Sequence, residues 1–187
     1  PTHGTYLKQY SSRPGIFLFH LSGRESRRRQ RIAFKRSVRG VNRMEDWPAF
    51  IKDHFSTLPF FLFMEATVVH TARGQATIKL PMKPEYSNTY GIVHGGVVTA
   101  LVDMAAGVAL RTLKVRIVTV EVSTNYFEPV ALDEELTAEA RLVQEGRKIL
   151  HADVQVFTRE GKLAARGKTI YYIRGEDSAE YYGGQVK

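Results

Sequence analysis

Residues 1–43 carry no sustained period of 2 or 3.6, and apolar periodicity begins only beyond them. Between residues 46 and 56, Trp47, Phe50, Ile51 and Phe55 fall on one side of a helical period. Glu45, Asp46 and Pro48 stand at its start, the composition of a helix entrance. Pro59-Phe60-Phe61 is expected to end that helix. Phe63 to Thr71 and Gln75 to Leu80 read as strands about the turn Ala72-Arg73-Gly74. Lys83 to Tyr90, rich in Pro, Ser and Asn, reads as a loop. Gly95 to Leu113 is the one long, strongly apolar helix, with Val97, Leu101, Met104 and Val108 forming a continuous stripe. Ile117 to Tyr126, Leu136 to Gln144, Lys148 to Thr158 and Leu163 to Tyr172 read as four strands. Turns at Glu145-Gly146-Arg147 and Glu160-Gly161-Lys162 join the later ones. About six strands, one buried helix and no βαβ alternation predict an α+β fold. In it an antiparallel sheet wraps its concave face around the long helix.

Composition narrows the function classes. The chain has 187 residues, 43% hydrophobic and 25% charged, a normal balance for one globular domain. The absence of cysteine excludes disulfides, thiolate metal sites and cysteine nucleophiles. Charges interrupt every apolar run before it reaches the roughly 18 residues of a membrane-spanning helix. The net charge of +8 would suggest a nucleic-acid or membrane partner, but it is unevenly placed. Residues 1–43 hold 11 Lys/Arg against Glu25 alone, so the remaining chain is near neutral. The expected organisation is therefore a basic leader over 1–43, disordered or foreign to the domain, a domain over 44–174 starting at Met44, and a loose tail over 175–187. A cytoplasmic location is expected, without membrane attachment and without a nucleic-acid partner.

The segment Asn88 to Gly107 carries the candidate chemistry. From Gly96 to Leu110 the only polar side chains are Thr99 and Asp103. A carboxylate inside an apolar helix costs desolvation and has poor helix propensity, so it requires a reason. That reason is either a structural hydrogen bond or chemistry. Gly96, Thr99, Asp103 and Gly107 share one helix face of small residues, which another chain or a ligand could approach closely. His94-Gly95-Gly96 stands where a loop enters the helix. Free N–H groups and the positive end of the helix dipole there form an anion-stabilising position. An oxyanion position together with a carboxylate points to acyl transfer or hydrolysis.

The residues Asn88, Gly91, His94-Gly95-Gly96 and Asp103, nine positions after the histidine, resemble the motif of the PaaI-type, phenylacetyl-CoA-thioesterase-like hotdog thioesterases. The segment Val118 to Pro129 is similar to that family's central strand, with its ending in an aromatic and a proline. The resemblance covers roughly residues 46–174. It implies a hotdog fold and hydrolysis of an aromatic or medium-chain acyl-CoA to free acid and coenzyme A. By position it implies Asp103 as catalytic carboxylate, acting as general base or as nucleophile, and the Gly95 N–H as oxyanion donor. His94 and Asn88 would orient the thioester or the water, and Thr119 would help hold the water. Gly146, Arg147 and Lys148 resemble the turn where basic groups meet the coenzyme A phosphates. No separate cofactor is implied, because coenzyme A belongs to the substrate. No metal is expected, since the six histidines are scattered. Phe50, Phe55, Phe60, Phe61, Phe63 and Met64 would line an acyl pocket or belong to the core.

Helix geometry adds a constraint that is independent of the resemblance. At about 1.5 Å per residue, Gly95 and Asp103 lie on the order of 12 Å apart. A reacting carbonyl must lie within about 3 Å of both partner groups. If both are catalytic, each site pairs Gly95 of one subunit with Asp103 of another. The simplest assembly that does so is a homodimer, and the resemblance to hotdog proteins implies a dimer of dimers, a homotetramer, as the further option. The alternative is a non-catalytic acyl-CoA-binding sensor on the same fold, which DNA binding by the full chain would favour.

Overall fold

The computed structural model describes residues 46–178. The leader over 1–43 and the end of the tail lie outside these residues. Helix α1 (Trp47–Phe55) starts where Asp46 accepts a hydrogen bond from the Ala49 N–H at 3.1 Å. Its buried side chains are Trp47 and Ile51. A short helix, α2 (Pro59–Met64), follows. The proline there opens a helix as well as closing the one before it, since its fixed φ suits the first helical position. Glu65 then ends α2 in the left-handed region at φ 59°.

The strands are β1 (Thr67–Ala72), β2 (Gln75–Pro81), β3 (Val115–Tyr126), β4 (Glu135–Glu145), β5 (Ile149–Phe157) and β6 (Leu163–Glu176). The long helix α3 (Gly95–Arg111) lies between β2 and β3 in sequence, after a turn of 3-10 helix at Pro84–Tyr86. The strands form one antiparallel sheet in the order β1-β2-β4-β5-β6-β3. This is the α+β arrangement read from the sequence.

Alternation along the strands explains how the sheet encloses α3. Leu136, Ala138 and Ala140 of β4 and Leu150, Ala152, Val154 and Val156 of β5 are buried, each two positions from the next. Small residues among them let the helix approach. A Cβ on Gly167 of β6 would lie 2.2 Å from Cγ1 of Val102, so the helix rests directly on that backbone. Leu101, Met104 and Val108 are buried as expected. Val98, Val102, Ala105, Ala106 and Ala109 are buried too, so α3 is enclosed well beyond one stripe.

The outer strands differ. β1 lies beside α1, where Lys52 Nζ donates to the Val69 carbonyl at 3.0 Å and Thr71 Oγ1 to that of Pro48 at 2.9 Å. β3 is hydrogen-bonded to β6 on one side and to no strand on the other among the described residues. Its Val118 and Val120 are 48% and 61% exposed.

The domain reaches further than the boundary at 174. β6 runs to Glu176, and the Asp177 N–H donates to the Lys114 carbonyl at 2.8 Å. The Asp177 carboxylate is fully buried against Arg111, 2.6 Å from its guanidinium. Residues 175–177 are therefore part of the folded unit. The Arg111 carbonyl accepts from Trp47 Nε1 at 2.8 Å, which ties α1 to the end of α3.

Candidate active site

The loop before α3 is shaped by Asn88. Its Oδ1 accepts from the N–H groups of Tyr90 at 2.8 Å and Ile92 at 3.3 Å, a local turn of the kind short amides favour. The Gly91 N–H returns to the Asn88 carbonyl, and φ at Gly91 is +75°. This arrangement engages the side-chain oxygen of Asn88 and leaves its NH₂ as the group able to meet a substrate oxygen or water.

His94 caps α3. Its Nδ1 accepts from the Gly96 N–H at 2.9 Å and its carbonyl accepts from the Val97 N–H at 2.9 Å. In the neutral ring the proton then sits on Nε2, which is a donor. The Gly95 N–H has no acceptor within the described residues and lies at the positive end of a 17-residue helix. Gly95 also makes room for Tyr126. A Cβ there would lie 3.2 Å from the Tyr126 ring, whose hydroxyl donates to the Gly95 carbonyl at 3.0 Å. A cavity of about 310 Å³ opens beside this end of the helix, lined in part by Asn88, Gly95, Val98, Tyr126, Phe127 and Pro129.

None of Phe50, Phe55, Phe60, Phe61, Phe63 or Met64 lines that cavity. Phe61 and Met64 are core, Phe50 and Phe55 pack against it, and Phe60 and Phe63 are exposed. Helices α1 and α2 turn these side chains to the core or to solvent, and the Tyr86 hydroxyl donates to the Met64 carbonyl at 2.9 Å.

Two turns along α3, Asp103 is half-buried and held by hydroxyls from two strands. Thr119 Oγ1 of β3 donates to Oδ1 at 3.1 Å, and the Tyr171 hydroxyl of β6 reaches the same oxygen at 2.5 Å. Oδ2 accepts no hydrogen bond within the described residues. Tyr171 is buried, and burial followed by the charge of Asp103 pushes its phenol far above the usual tyrosine range, so it remains a donor. Thr119 and Tyr171 are register partners, and a bulge at Val120 lies beside them. Such bulges re-aim side chains at sheet edges and next to active sites.

At Thr99 and Gly107 the small-residue face of α3 is covered by this chain's own strands, β3 and β6, and not left to another chain. Thr99 Oγ1 is 2.6 Å from the Tyr126 hydroxyl and 3.2 Å from Thr124 Oγ1, and Gly107 lies under the Tyr171 hydroxyl. Small residues here admit strands.

The structure thus brings Asn88, His94 and Gly95 together at the start of α3 and Asp103 with Thr119 at its middle. The turn Gly146-Arg147-Lys148 leads into β5 beside the stretch of β6 that holds Tyr171. Ile149 pairs with Tyr172 and Leu150 with Tyr171, and the Lys148 carbonyl accepts from the Ile173 N–H at 2.8 Å. Lys148 Nζ lies 5.8 Å from the centre of the Tyr172 ring. Among the described residues no group of three His, Asp or Glu side chains could hold a metal ion.

Tyr171 was not singled out from the sequence, although a signal existed. Alternation along β6 puts residue 171 on the buried face, and a buried tyrosine hydroxyl usually has a polar partner. Asp103 is the acid of the apolar helix beneath it.

Residues 90–165 match the model of the thioesterase superfamily. Human acyl-coenzyme A thioesterase 13 is 28% identical over 110 residues, 57% of this chain and 79% of that protein. A relative from Sulfurisphaera tokodaii, whose name marks it as a candidate esterase, is 30% identical over 117 residues, covering 60% of this chain and 85% of the relative. The phenylacetic acid degradation protein PaaI of Thermus thermophilus, solved as a mutant, is similar in structure with a TM-score of 0.59. It is 27% identical, and the match covers 62% of this chain and 98% of that one.

Proposed function

This chain belongs to the thioesterase superfamily as a PaaI-type, hotdog-fold acyl-CoA thioesterase, and we propose that it hydrolyses aromatic or medium-chain acyl-CoA at a site built from two subunits. The observation that carries this reading is Asp103, a carboxylate in an apolar helix with one oxygen held by two hydroxyls and the other free. The Gly95 N–H is eight residues away on the same helix, on the order of 12 Å, too far to share one carbonyl carbon with Asp103 of the same chain. The unpaired edge of β3 supports the pairing of two copies, since an open strand edge is a ready partner for another strand.

The thioester carbonyl oxygen rests against the Gly95 N–H of one subunit, where the helix end stabilises the developing oxyanion. The Asn88 amide and His94 Nε2–H orient the thioester or the water beside it. Oδ2 of Asp103 from the other subunit then acts in one of two ways. As a nucleophile it bonds to the carbonyl carbon, the C–S bond breaks, coenzyme A leaves as a thiolate that takes up a proton, and water opens the resulting anhydride. As a general base it takes a proton from the attacking water, and the tetrahedral intermediate collapses to acid and thiol. Thr119 holds the carboxylate in both routes. Arg147 and Lys148, at the turn that Gly146 opens, meet the phosphates of coenzyme A.

The cavity beside Gly95 supports a modest acyl group, because about 310 Å³ is near the lower end of small-molecule pockets. Its Val98, Phe127 and Pro129 suit an apolar or aromatic one. No helix among the described residues is long and apolar enough to cross a membrane. A cytoplasmic setting, where thiols such as coenzyme A stay reduced, goes with this reading. Thiol release from a panel of acyl-CoAs tests it. The highest kcat/KM is expected for aromatic or medium-chain groups, and no release from any member would reject the reading.

A further inference from the structure

We propose that Tyr171 is a positioning residue for hydrolysis: its hydroxyl holds Oδ1 of Asp103 so that Oδ2 alone faces the thioester. This rests on the reading of Asp103 as the reacting carboxylate. A carboxylate rotates readily about its last bond, and rotation would exchange its two oxygens or turn both away from substrate. Two donors on one oxygen, arriving from different strands, fix the plane. The two are unequal. Thr119 stands at 3.1 Å and the phenol at 2.5 Å, the range of a hydroxyl bonded to a charged carboxylate and the stronger kind.

The surroundings of Tyr171 suit this role. Its ring is buried at 3% exposure, between register partners Thr119 on β3 and Leu150 on β5, so few motions are open to it. The same hydroxyl lies 2.9 Å from the Asp103 backbone carbonyl, which places it over the base of the side chain as well as its tip. Gly107, one turn further along α3, leaves the room. A Cβ there would already touch the hydroxyl at 3.6 Å, and a larger side chain would displace it. Packing alone would be served equally by phenylalanine.

Tyr171→Phe in the full chain tests this, assayed beside Asp103→Asn for thiol release from an acyl-CoA that the wild type turns over. Asp103→Asn should be inactive. Tyr171→Phe should lose about ten- to a hundredfold in kcat, with KM within about twofold and the melting temperature close to wild type. A structural role would instead lower the melting temperature or raise KM and leave kcat alone. Wild-type kcat in Tyr171→Phe beside an inactive Asp103→Asn overturns the role of Tyr171 and leaves Asp103 standing. An active Asp103→Asn overturns the reading beneath it, and the proposal with it. If Tyr171→Phe does not fold, the wild type can be read directly by proton NMR. A phenol proton held by the carboxylate resonates far downfield of the amides and should vanish in Asp103→Asn. Its absence from the wild type overturns the proposal.

Discussion

Thr119 and Tyr171 face one another across the β3–β6 ladder, and both direct a hydroxyl to the same oxygen of Asp103. The second oxygen of that carboxylate accepts no hydrogen bond within the described residues, and the proposed reaction uses it. Asp103→Asn keeps the volume and removes the negative charge. We expect kcat to fall on the order of 10² or more while the fold and substrate binding persist. Near-wild-type turnover would remove Asp103 from the reaction.

The separation of Gly95 from Asp103 makes a prediction about mixtures. Asn88→Ala and Asp103→Ala lie in opposite halves of the proposed site, and each should be inactive. In a mixed dimer one site carries both lesions and the other none. Random assembly makes about half the dimers mixed, so co-expression should restore roughly a quarter of wild-type activity. A co-purified mixture with confirmed subunit exchange and no recovered activity would reject a two-chain site.

Arg147 and Lys148 lie in the tight turn between β4 and β5. Changing both to Ala should raise KM for acyl-CoA several-fold and spare short thioesters that lack the nucleotide. Equal effects on both substrates would argue against contact with the phosphates.

The ion pair of Arg111 with Asp177 is enclosed, with the Asp177 side chain fully covered. Asp177→Ala would leave the guanidinium buried without its carboxylate, at a cost of about 3–5 kcal/mol. For a domain of this size that lowers the melting temperature by roughly 10 °C. Truncation after residue 174 should do the same. Unchanged melting in both would show that the end of β6 adds no stability.

His54 is lowered to about 4, first by burial and then by the charge of Arg111. The unfolded chain takes up this proton near the ordinary value of 6.5, whereas the folded one resists until about pH 4. Stability from this group is therefore complete above pH 6.5 and is lost as pH falls toward 4. His54→Phe keeps a ring beside Phe50, with which His54 stacks at 6.0 Å. The variant should show a flatter melting temperature between those pH values. The same slope in both proteins would assign it to other groups.

Most of the architecture was legible because period and turn residues agreed. The long helix begins at Gly95 as read, and all six strands exist. The difference at α2 has a plain cause. Pro59 marks a boundary without saying which side is helical, and Phe63 and Met64, read as the start of a strand, instead end the helix that Pro59 opens. The end of the domain was obscured because Gly175 and Glu176 look like tail, and the buried partner Arg111 that holds Asp177 is 66 residues away in sequence. At the site, Asp103, Gly95 and His94 stood out by residue type and spacing. What covers the small-residue face of α3 did not, because sequence gives a face and not its neighbour. Thr99 and Gly107 meet β3 and β6, elements far along the chain.

The open side of β3 has a consequence for how the protein reaches its working state. A twelve-residue strand with one edge unpaired among the described residues, and with Val118 and Val120 exposed, forms a template on which an extended chain can add. A newly folded subunit is therefore exposed to aggregation until that edge is covered. If the cover is a second copy, the event that completes the site also removes the hazard. Refolding yield should then depend on which comes first, meeting a folded partner or an unfolded one.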